Sequence, residues 1–147
     1  MEFATAAHKS VFERVQPMLK ELFGEMAVPH PDFPAFGIRM GSAFANISVV
    51  PWGPDSATVN VRAWVVTGAE LTPELMRYLL AKNDQVVFGG FGIDEQGDIF
   101  FQTTLLGPSC DKPGLHTAVL SVVQTADDLD DEIVSRWGGQ RAVDRKA

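Results

Sequence analysis

The sequence predicts a single α+β domain, in which helices pack on an antiparallel sheet in the order α-βββ-α-ββ-α. Several segments alternate apolar and polar residues with a period of two, which is typical of strands covered on one side. Three others carry apolar residues at steps of three and four, which predicts amphipathic helices. A chain of 147 residues suits one domain. We place that domain at 1–139 and predict that the patternless tail 140–147 is disordered.

The first helix is predicted near the N-terminus. Ser10 and Glu13 have the spacing of a capping box, so the helix is expected to begin there. Pro17 falls inside the pattern, and either kinks the helix or starts a second one. The proline-rich stretch VPHPDFPAFG follows as a connector. The apolar stripe consists of Val11, Val15, Leu19, Leu22 and Met26.

Three strands are predicted next, with their apolar residues on one face. Between the second and third strands, WGPDS is predicted to be a hairpin loop. For Val49 and Val59 to share a face, that loop must have an odd length or carry a bulge. The apolar positions are Phe36, Ile38 and Met40, then Ala45, Ile47 and Val49, then Val59, Val61, Ala63 and Val65.

Two more helices are predicted. In LTPELMRYLLAKN, Thr72 is the expected N-cap, Pro73 suits the first helical position and Asn83 suits the C-terminal end. Its apolar face would contain Leu75, Met76, Leu79 and Leu80. The third helix is predicted from about Lys112 to Trp137, where two glycines stop it.

The glycine-rich stretch VVFGGFGIDEQGDIFFQTTLL is interpreted as a β-hairpin. A phosphate-binding loop needs its glycines between a strand and a helix, and here a second strand follows instead. Gly89, Gly90 and Gly92 are expected to let the strand bend or to let another element approach closely. Gly97 would supply a positive φ at the turn.

Acidic residues occur in two clusters, and neither predicts a metal site. Asp94, Glu95 and Asp98 do not have the EF-hand spacing and are expected at a solvated hairpin tip. The run Asp127, Asp128, Asp130, Asp131 and Glu132 lies off the apolar stripe of the third helix. It is expected to form a solvated face, with an electrostatic docking face as the alternative.

No catalytic constellation is apparent in the sequence, so we predict no catalytic residue, no metal and no cofactor. His8, His30 and His116 show no metal-ligand spacing, and there is no G-x-S-x-G elbow. A triad assembled across the fold is not excluded by this reasoning. Cys110 is interpreted as an ordinary loop thiol near Lys112.

Charge and cysteine content limit the classes of partner. Residues 84–137 contain 2 basic and 10 acidic groups, a net charge of −8, which disfavours nucleic acid as a partner. One cysteine excludes an internal disulfide and fits a reducing cytoplasm. No apolar run approaches the ~18 residues of a membrane span, so no membrane partner is expected.

Aromatic residues supply the candidate binding site. Trp52, Trp64 and Phe100 are predicted on the strand face opposite the valines, together with Val66 and Leu106. A second layer of helices would make them core residues. Without that layer they form an exposed apolar patch, which is typical of dimer or peptide contacts.

From Leu71 to Gly139 the chain resembles the YbjN family, which is grouped with the type III secretion chaperone-like fold. The resemblance lies in LTPELMRYLLAKND, in the glycine-rich hairpin and in LHTAVLSVVQTADDLDDEIVSRWGG. Asn83, Phe88-Gly89 and the Ala126-Asp127 pair match recurring family positions. The resemblance implies helices on a five- or six-stranded antiparallel sheet, an often dimeric state, and peptide-binding or regulatory roles without catalysis.

The hypothesis is therefore a non-catalytic, cytoplasmic, chaperone-like domain, expected to be a homodimer. It would bind a peptide or protein partner through Trp52, Trp64 and Phe100, by apolar contact and strand addition. One alternative is a regulatory or structural homodimer without a client, with the same aromatics at the subunit interface. The other is a small-molecule-binding protein with a closed apolar pocket.

Overall fold

A computed structural model describes residues 1–145 and confirms the α+β class with an antiparallel sheet. The helices are α1 (Ala6–Phe23), α2 (Pro73–Gln85) and α3 (Lys112–Trp137). Short 3-10 turns cover 24–26, 107–109 and 142–144. The strands are β1 (Val28–Pro29), β2 (Ala35–Met40), β3 (Ala43–Trp52), β4 (Ser56–Thr67), β5 (Gly90–Ile93), β6 (Ile99–Leu106) and β7 (Gln140–Arg141).

The strands form one antiparallel sheet in the order β1-β2-β3-β4-β6-β5, and β7 pairs with the end of β4. Val49 lies directly opposite Val59 across the β3–β4 hairpin. The hairpin closes between Trp52 and Ser56 through three residues, beginning with Gly53 at φ 63°. The predicted odd loop length is therefore confirmed, and it keeps the valines of both strands on one face.

One face of the sheet is the core, and the helices cover it. The predicted apolar positions of β3 and β4, together with Phe101 of β6, are buried there. Helices α1 and α3 pack on this face, and α2 lies beside α3 through a contact between Tyr78 and Trp137. All three helices thus lie on the same side of the sheet. Burial of this apolar surface is the main source of folding free energy.

The predicted helix ends are mostly confirmed. Thr72 caps α2 and accepts a hydrogen bond from the Leu75 N–H, with Pro73 at the start of the helix. Helix α3 has the predicted bounds. The capping box at Ser10 is wrong, because α1 begins one turn earlier with Thr5 as its N-cap. Pro17 lies inside this single continuous helix.

Three side chains lie elsewhere than the sequence predicts. Met26, predicted on the apolar stripe of the first helix, follows the end of α1 at Phe23 and is 51% exposed. A register shift between Trp64 and Val66 places Val66 opposite Ile99, and both are fully buried. The bulge reverses the alternation, so Val66 belongs to the core and not to the opposite face. Leu80, predicted on the buried face of α2, is 69% exposed.

The glycine-rich hairpin has the predicted form, and its glycines allow close contacts. Gly89 has φ 85°, and a Cβ there would meet the Gln102 carbonyl and the Phe101 ring. The Asn83 side chain reaches from α2 to the outer edge of β5, where it accepts from the Phe91 N–H at 2.6 Å and donates to the Phe91 carbonyl at 3.3 Å. Gly97 closes the turn with φ 81°, as predicted.

The structure also differs from the sequence prediction in the tail. Gln140 and Arg141 pair with Thr67 and Val66 of β4. The 3-10 turn of 142–144 follows, and Arg145 contacts Asp98. Residues 146–147 of the tail predicted to be disordered lie outside the described residues.

Candidate functional site

The sheet face opposite the core, here called the open face, is the main candidate for a binding surface. Helices α1, α2 and α3 pack into the core on the other side, and the 3-10 turn of 142–144 adjoins the open face at one end, beside Phe44 and Trp64. Its centre is a polar ladder, in which Asn60 donates to Gln102 and Thr104, and the Arg62 guanidinium donates to Gln102. These bonds hold the side chains in place, so the middle of the face is ordered and hydrophilic.

Trp64 and Phe100 form one end of the open face. They are directly opposite each other on β4 and β6. The Arg62 guanidinium lies 3.8 Å from the Phe100 ring centroid, and Gly92 leaves the space in which that ring rests on β5. A glycine beneath an aromatic ring allows the ring to lie flat on the sheet. Both aromatics are half-buried, so they are held in fixed positions.

The Trp64 indole is further fixed by a carboxylate. Its Nε1–H donates to Asp94 Oδ2 at 2.9 Å. This bond, with those from the backbone N–H groups of Asp98 and Gln96, holds the pKa of Asp94 below its usual range. Asp94 is thus ionised at neutral pH and orients the tryptophan.

Trp52 lies at the opposite end of the open face. It is 68% exposed and pairs with Ser56, eight residues along β4 from Trp64. At about 3.3 Å per residue, that separation is roughly 26 Å. Val50 and Leu106 lie beside it, each opposite Thr58 and each exposed. The three predicted aromatics therefore share a face but form two separate apolar ends.

A cleft adjoins the Trp64 end of the open face. This Trp64 cleft has a volume of about 560 Å³ and lies between the rings of Phe44 and Trp64, the carboxyls of Asp94 and Asp98, and Arg145 of the tail. The prediction that Asp98 is solvated is wrong. It is buried, accepts from the Gly68 N–H at 3.2 Å, and pairs with Arg145 at 3.3 Å.

The sequence reasoning missed Phe44, which is half-exposed and whose ring covers Gly37 of the neighbouring strand. Its position in the alternation of β3, opposite to Ala45 and Ile47, could have placed it on the open face. No local sequence pattern could have predicted the contact of Arg145 with Asp98, because the two residues are 47 positions apart in the sequence.

A second surface is a groove between the end of α1 and the β1–β2 edge. Its volume is about 610 Å³, and its lining is mostly apolar, including Leu19, Val28 and Phe36. Val28 is among the exposed apolar side chains of the protein. This groove lies at the edge strand β1, away from the predicted aromatic residues.

A third surface is the α2–β5 patch, defined by Leu80, Val87 and Phe88. Leu80 is 69% exposed and Val87 is 85% exposed, with Phe88 about half-exposed. Exposed large apolar side chains that form a contiguous patch are typical of protein contacts. Nothing in the sequence pattern separated Leu80 from the buried face of its helix.

The acidic run of α3 is only partly solvated. Asp130 is buried, and its Oδ2 lies 2.7 Å from the Ser42 hydroxyl, which also bonds to Asp127. Asp130 Oδ1 has no hydrogen-bond partner among residues 1–145. Burial raises the pKa of Asp130, whereas the bonds from Ser42 lower that of Asp127. The prediction of a solvated face is therefore wrong for Asp130.

The other residues considered for chemistry have structural contacts. His8 is buried, with Nε2 2.7 Å from the Val49 carbonyl and Nδ1 accepting from the Ala4 N–H. Cys110 is buried, and its burial raises the pKa of its thiol, which disfavours the reactive thiolate. His116 is exposed on α3 and stacks on Phe23.

Across residues 1–145, no group of three or more histidine, cysteine or acidic side chains is arranged to hold a metal ion. In the same part of the chain, no helix combines the length and apolar character that crossing a membrane requires.

No curated protein sequence matches the chain. The chain is similar to a solved structure, the crystal structure of the ExsC–ExsE complex, at 15% sequence identity and a TM-score of 0.64. The match covers 83% of this chain and 95% of the other, and at that identity it shows a shared fold.

The family match is broader. Residues 10–145 match the family described as type III secretion system (YopN, CesT) and YbjN peptide-binding chaperone 1. The resemblance to YbjN and the secretion chaperone-like fold is therefore confirmed, and a chaperone-like role in binding peptides or proteins is supported in place of catalysis. The chain belongs to the YopN, CesT and YbjN family of peptide-binding chaperones.

Proposed function

We propose that the chain binds an extended segment of a protein partner along its open face, without catalysing a reaction. The observation that carries the proposal is the arrangement of this face. Apolar anchors lie at both ends, Trp52 at one and Trp64 with Phe100 at the other, and a polar ladder lies between them. An extended segment of about eight residues spans the two ends.

The anchors at the Trp64 end are suited to binding because they are already fixed. The Trp64 and Phe100 rings are held by Asp94, Arg62 and the space above Gly92. Binding therefore costs little additional side-chain entropy at that end. Tryptophan residues are also enriched among the side chains that dominate binding energies.

Strand addition is favoured less than contact with the face. At one edge of the sheet, the Asn83 amide already occupies the N–H and carbonyl of Phe91. At the other edge, β1 has only two residues, and Pro29 has no N–H to donate. Neither edge presents a long row of donors and acceptors to an incoming strand.

A selection experiment tests the proposal. Peptides of about ten residues are selected from a random display library on the full chain, and their Kd values are then measured by fluorescence anisotropy. We expect Trp52→Ala to weaken binding by at least about tenfold, because exposed tryptophan anchors contribute on the order of 2 kcal/mol. Trp64→Ala should also weaken binding. Thermal unfolding followed by circular dichroism should show that both variants stay folded.

The matched control is Val28→Ala in the groove beside α1. Loss of binding in this variant, with Trp52→Ala unchanged, would move the peptide site to that groove and overturn the proposal. If Trp64→Ala unfolds the domain, Trp64 is a core residue and only the Trp52 end remains as an anchor.

We also propose that the chain forms a homodimer in the cytoplasm, with the α2–β5 patch as its interface. The supporting observation is the exposure of Leu80, Val87 and Phe88, three large apolar side chains at the end of α2 and in the segment that leads to β5. This arrangement leaves Trp52, Trp64 and Phe100 available for the partner.

Replacing both Leu80 and Val87 with glutamate is expected to convert the dimer to a monomer, because buried charges oppose association. Sedimentation across a dilution series measures the change. Met26→Glu, at another exposed apolar position, serves as the control and should leave the dimer intact. A dimer that persists in the double variant and is lost in Trp52→Ala would place the aromatics at the subunit interface instead.

A further inference from the structure

The Trp64 cleft combines the features that bind a guanidinium group. Two aromatic rings, from Phe44 and Trp64, line it together with the carboxyls of Asp94 and Asp98. A cation is attracted both to the faces of aromatic rings and to carboxylates, and arginine uses both contacts. The Arg62 guanidinium lies 5.7 Å from the Trp64 ring centroid as well as 3.8 Å from that of Phe100, but it donates to Gln102 and is not among the residues that line the cleft.

One cation already occupies part of this cleft. Arg145 of the tail donates from its guanidinium to Asp98 Oδ2 at 3.3 Å. The carboxyl is nearly buried, with a side-chain exposure of 10%, whereas the arginine side chain is 60% exposed. A nearly buried carboxylate requires a partner, but an ion pair with one exposed member contributes little stability.

The attachment of the tail is also slight. Before Arg145, this segment is held by two residue pairs of β7 with β4, by a three-residue 3-10 turn, and by ion pairs of Arg141 with Asp131 of α3 and with Asp144, whose carboxylates are largely exposed. A second arginine can therefore replace Arg145 at Asp98 at small cost, while Asp98 keeps its bond from the Gly68 N–H. About 560 Å³ remains open beside Arg145 to admit such a group.

We propose that the Trp64 cleft binds an arginine side chain of the partner peptide, and that Arg145 occupies the site until the partner arrives. The inference rests on the proposed function, since it names the chemistry of one end of the bound segment. The tail then acts as an internal competitor, which lowers the apparent affinity by the fraction of molecules in which it is seated.

A small probe tests the cleft directly. N-acetyl-arginine amide is titrated into the full ¹⁵N-labelled chain, and the indole N–H signal of Trp64 is followed by NMR, with its assignment taken from Trp64→Phe. We expect a saturable shift for the arginine probe and none for its neutral citrulline counterpart. Arg145→Gln should lower the apparent Kd by about threefold or more, because the competitor is removed.

Arg77→Gln is the matched control, since it makes the same change in net charge at an exposed position on α2 outside the cleft. Equal Kd values in Arg145→Gln and Arg77→Gln, or an equal response to citrulline, would overturn the inference. Asp98→Asn should abolish the shift. If Asp98→Asn unfolds the chain, the Kd values of Arg145→Gln and Arg77→Gln for the arginine probe still test the inference.

The proposed peptide-binding function and the proposed arginine site can be refuted independently of each other. If display-selected peptides bind the open face but the Trp64 signal does not respond to the arginine probe, only the proposal of an arginine site in the Trp64 cleft is overturned. If the Trp64 signal shows a saturable response to the arginine probe but the chain binds no selected peptide, the arginine site is kept and the proposed function is overturned.

Discussion

Replacing Gly89 with alanine is expected to lower the free energy of unfolding by about 2–5 kcal/mol, the sum of backbone strain and overpacking. Gly89 has φ 85°, a conformation that a residue with a Cβ adopts only at a cost. The added methyl would also lie 2.9 Å from the Phe101 ring, which is fully buried, and would meet the backbone carbonyl of Gln102. Neither neighbour can withdraw without disturbing the core.

The matched control separates these two costs. Gly53 also has a positive φ, of 63°, but a Cβ there would have no neighbour within 4 Å. Gly53→Ala should therefore show the backbone cost alone, about 1–2 kcal/mol. Urea unfolding of the two variants measures the difference. Equal losses would show that the close packing of Gly89 against β6 contributes nothing.

Replacing Asp130 with asparagine is expected to raise the free energy of unfolding at neutral pH by about 1–2 kcal/mol. The wild-type carboxyl is buried, and one of its oxygens has no hydrogen-bond partner in the described chain. The single proton of the Ser42 hydroxyl cannot be donated to both Asp127 and Asp130. When Asp130 is protonated, its carboxyl can donate to the Ser42 oxygen, and the Ser42 hydroxyl can then donate to Asp127.

The pH dependence of this effect follows from the raised pKa of Asp130. A raised folded-state pKa stabilises the fold below the unfolded-state pKa, and that contribution is lost as pH rises through the folded-state value. The advantage of asparagine should therefore be largest above the pKa of folded Asp130 and shrink at lower pH. Asp131 nearby raises this pKa and Arg141 lowers it, both less strongly than burial.

Chemical denaturation at several pH values checks the expectation. Asp128→Asn, at an exposed acid on the same helix, is the control and should show no comparable gain. A gain for Asp130→Asn that does not change with pH would mean that packing, and not protonation, explains the effect.

Local pattern was sufficient to predict most of the elements. Period-two alternation predicted the β3–β4 pairing, and the Thr72-Pro73 start of α2 was correct because capping depends on neighbouring residues. The bulge before Val66 was not predictable, since nothing in the alternation marks an extra residue. It moved Val66 from the predicted open face to the core, whereas Val65 is buried as predicted.

The site was predicted less completely, for a physical reason. Trp52, Trp64 and Phe100 do share the open face, because strand parity alone places them there. Their role in binding stays a prediction. The burial of Asp98 and Asp130 depends on partners 30 to 88 positions away, namely Gly68, Arg145 and Ser42. Sequence reasoning that looks only at neighbours treats such acids as solvated.

The amide of Asn83 has a consequence for how copies of the protein meet. A side chain that imitates a peptide group takes the place where the backbone of another molecule would attach to β5. Edge-to-edge pairing of sheets from different molecules, which is an early stage of fibril growth, is therefore hindered at β5. Because the backbone at the β5 edge is blocked, other molecules are expected to contact the uncovered side of the sheet through its side chains.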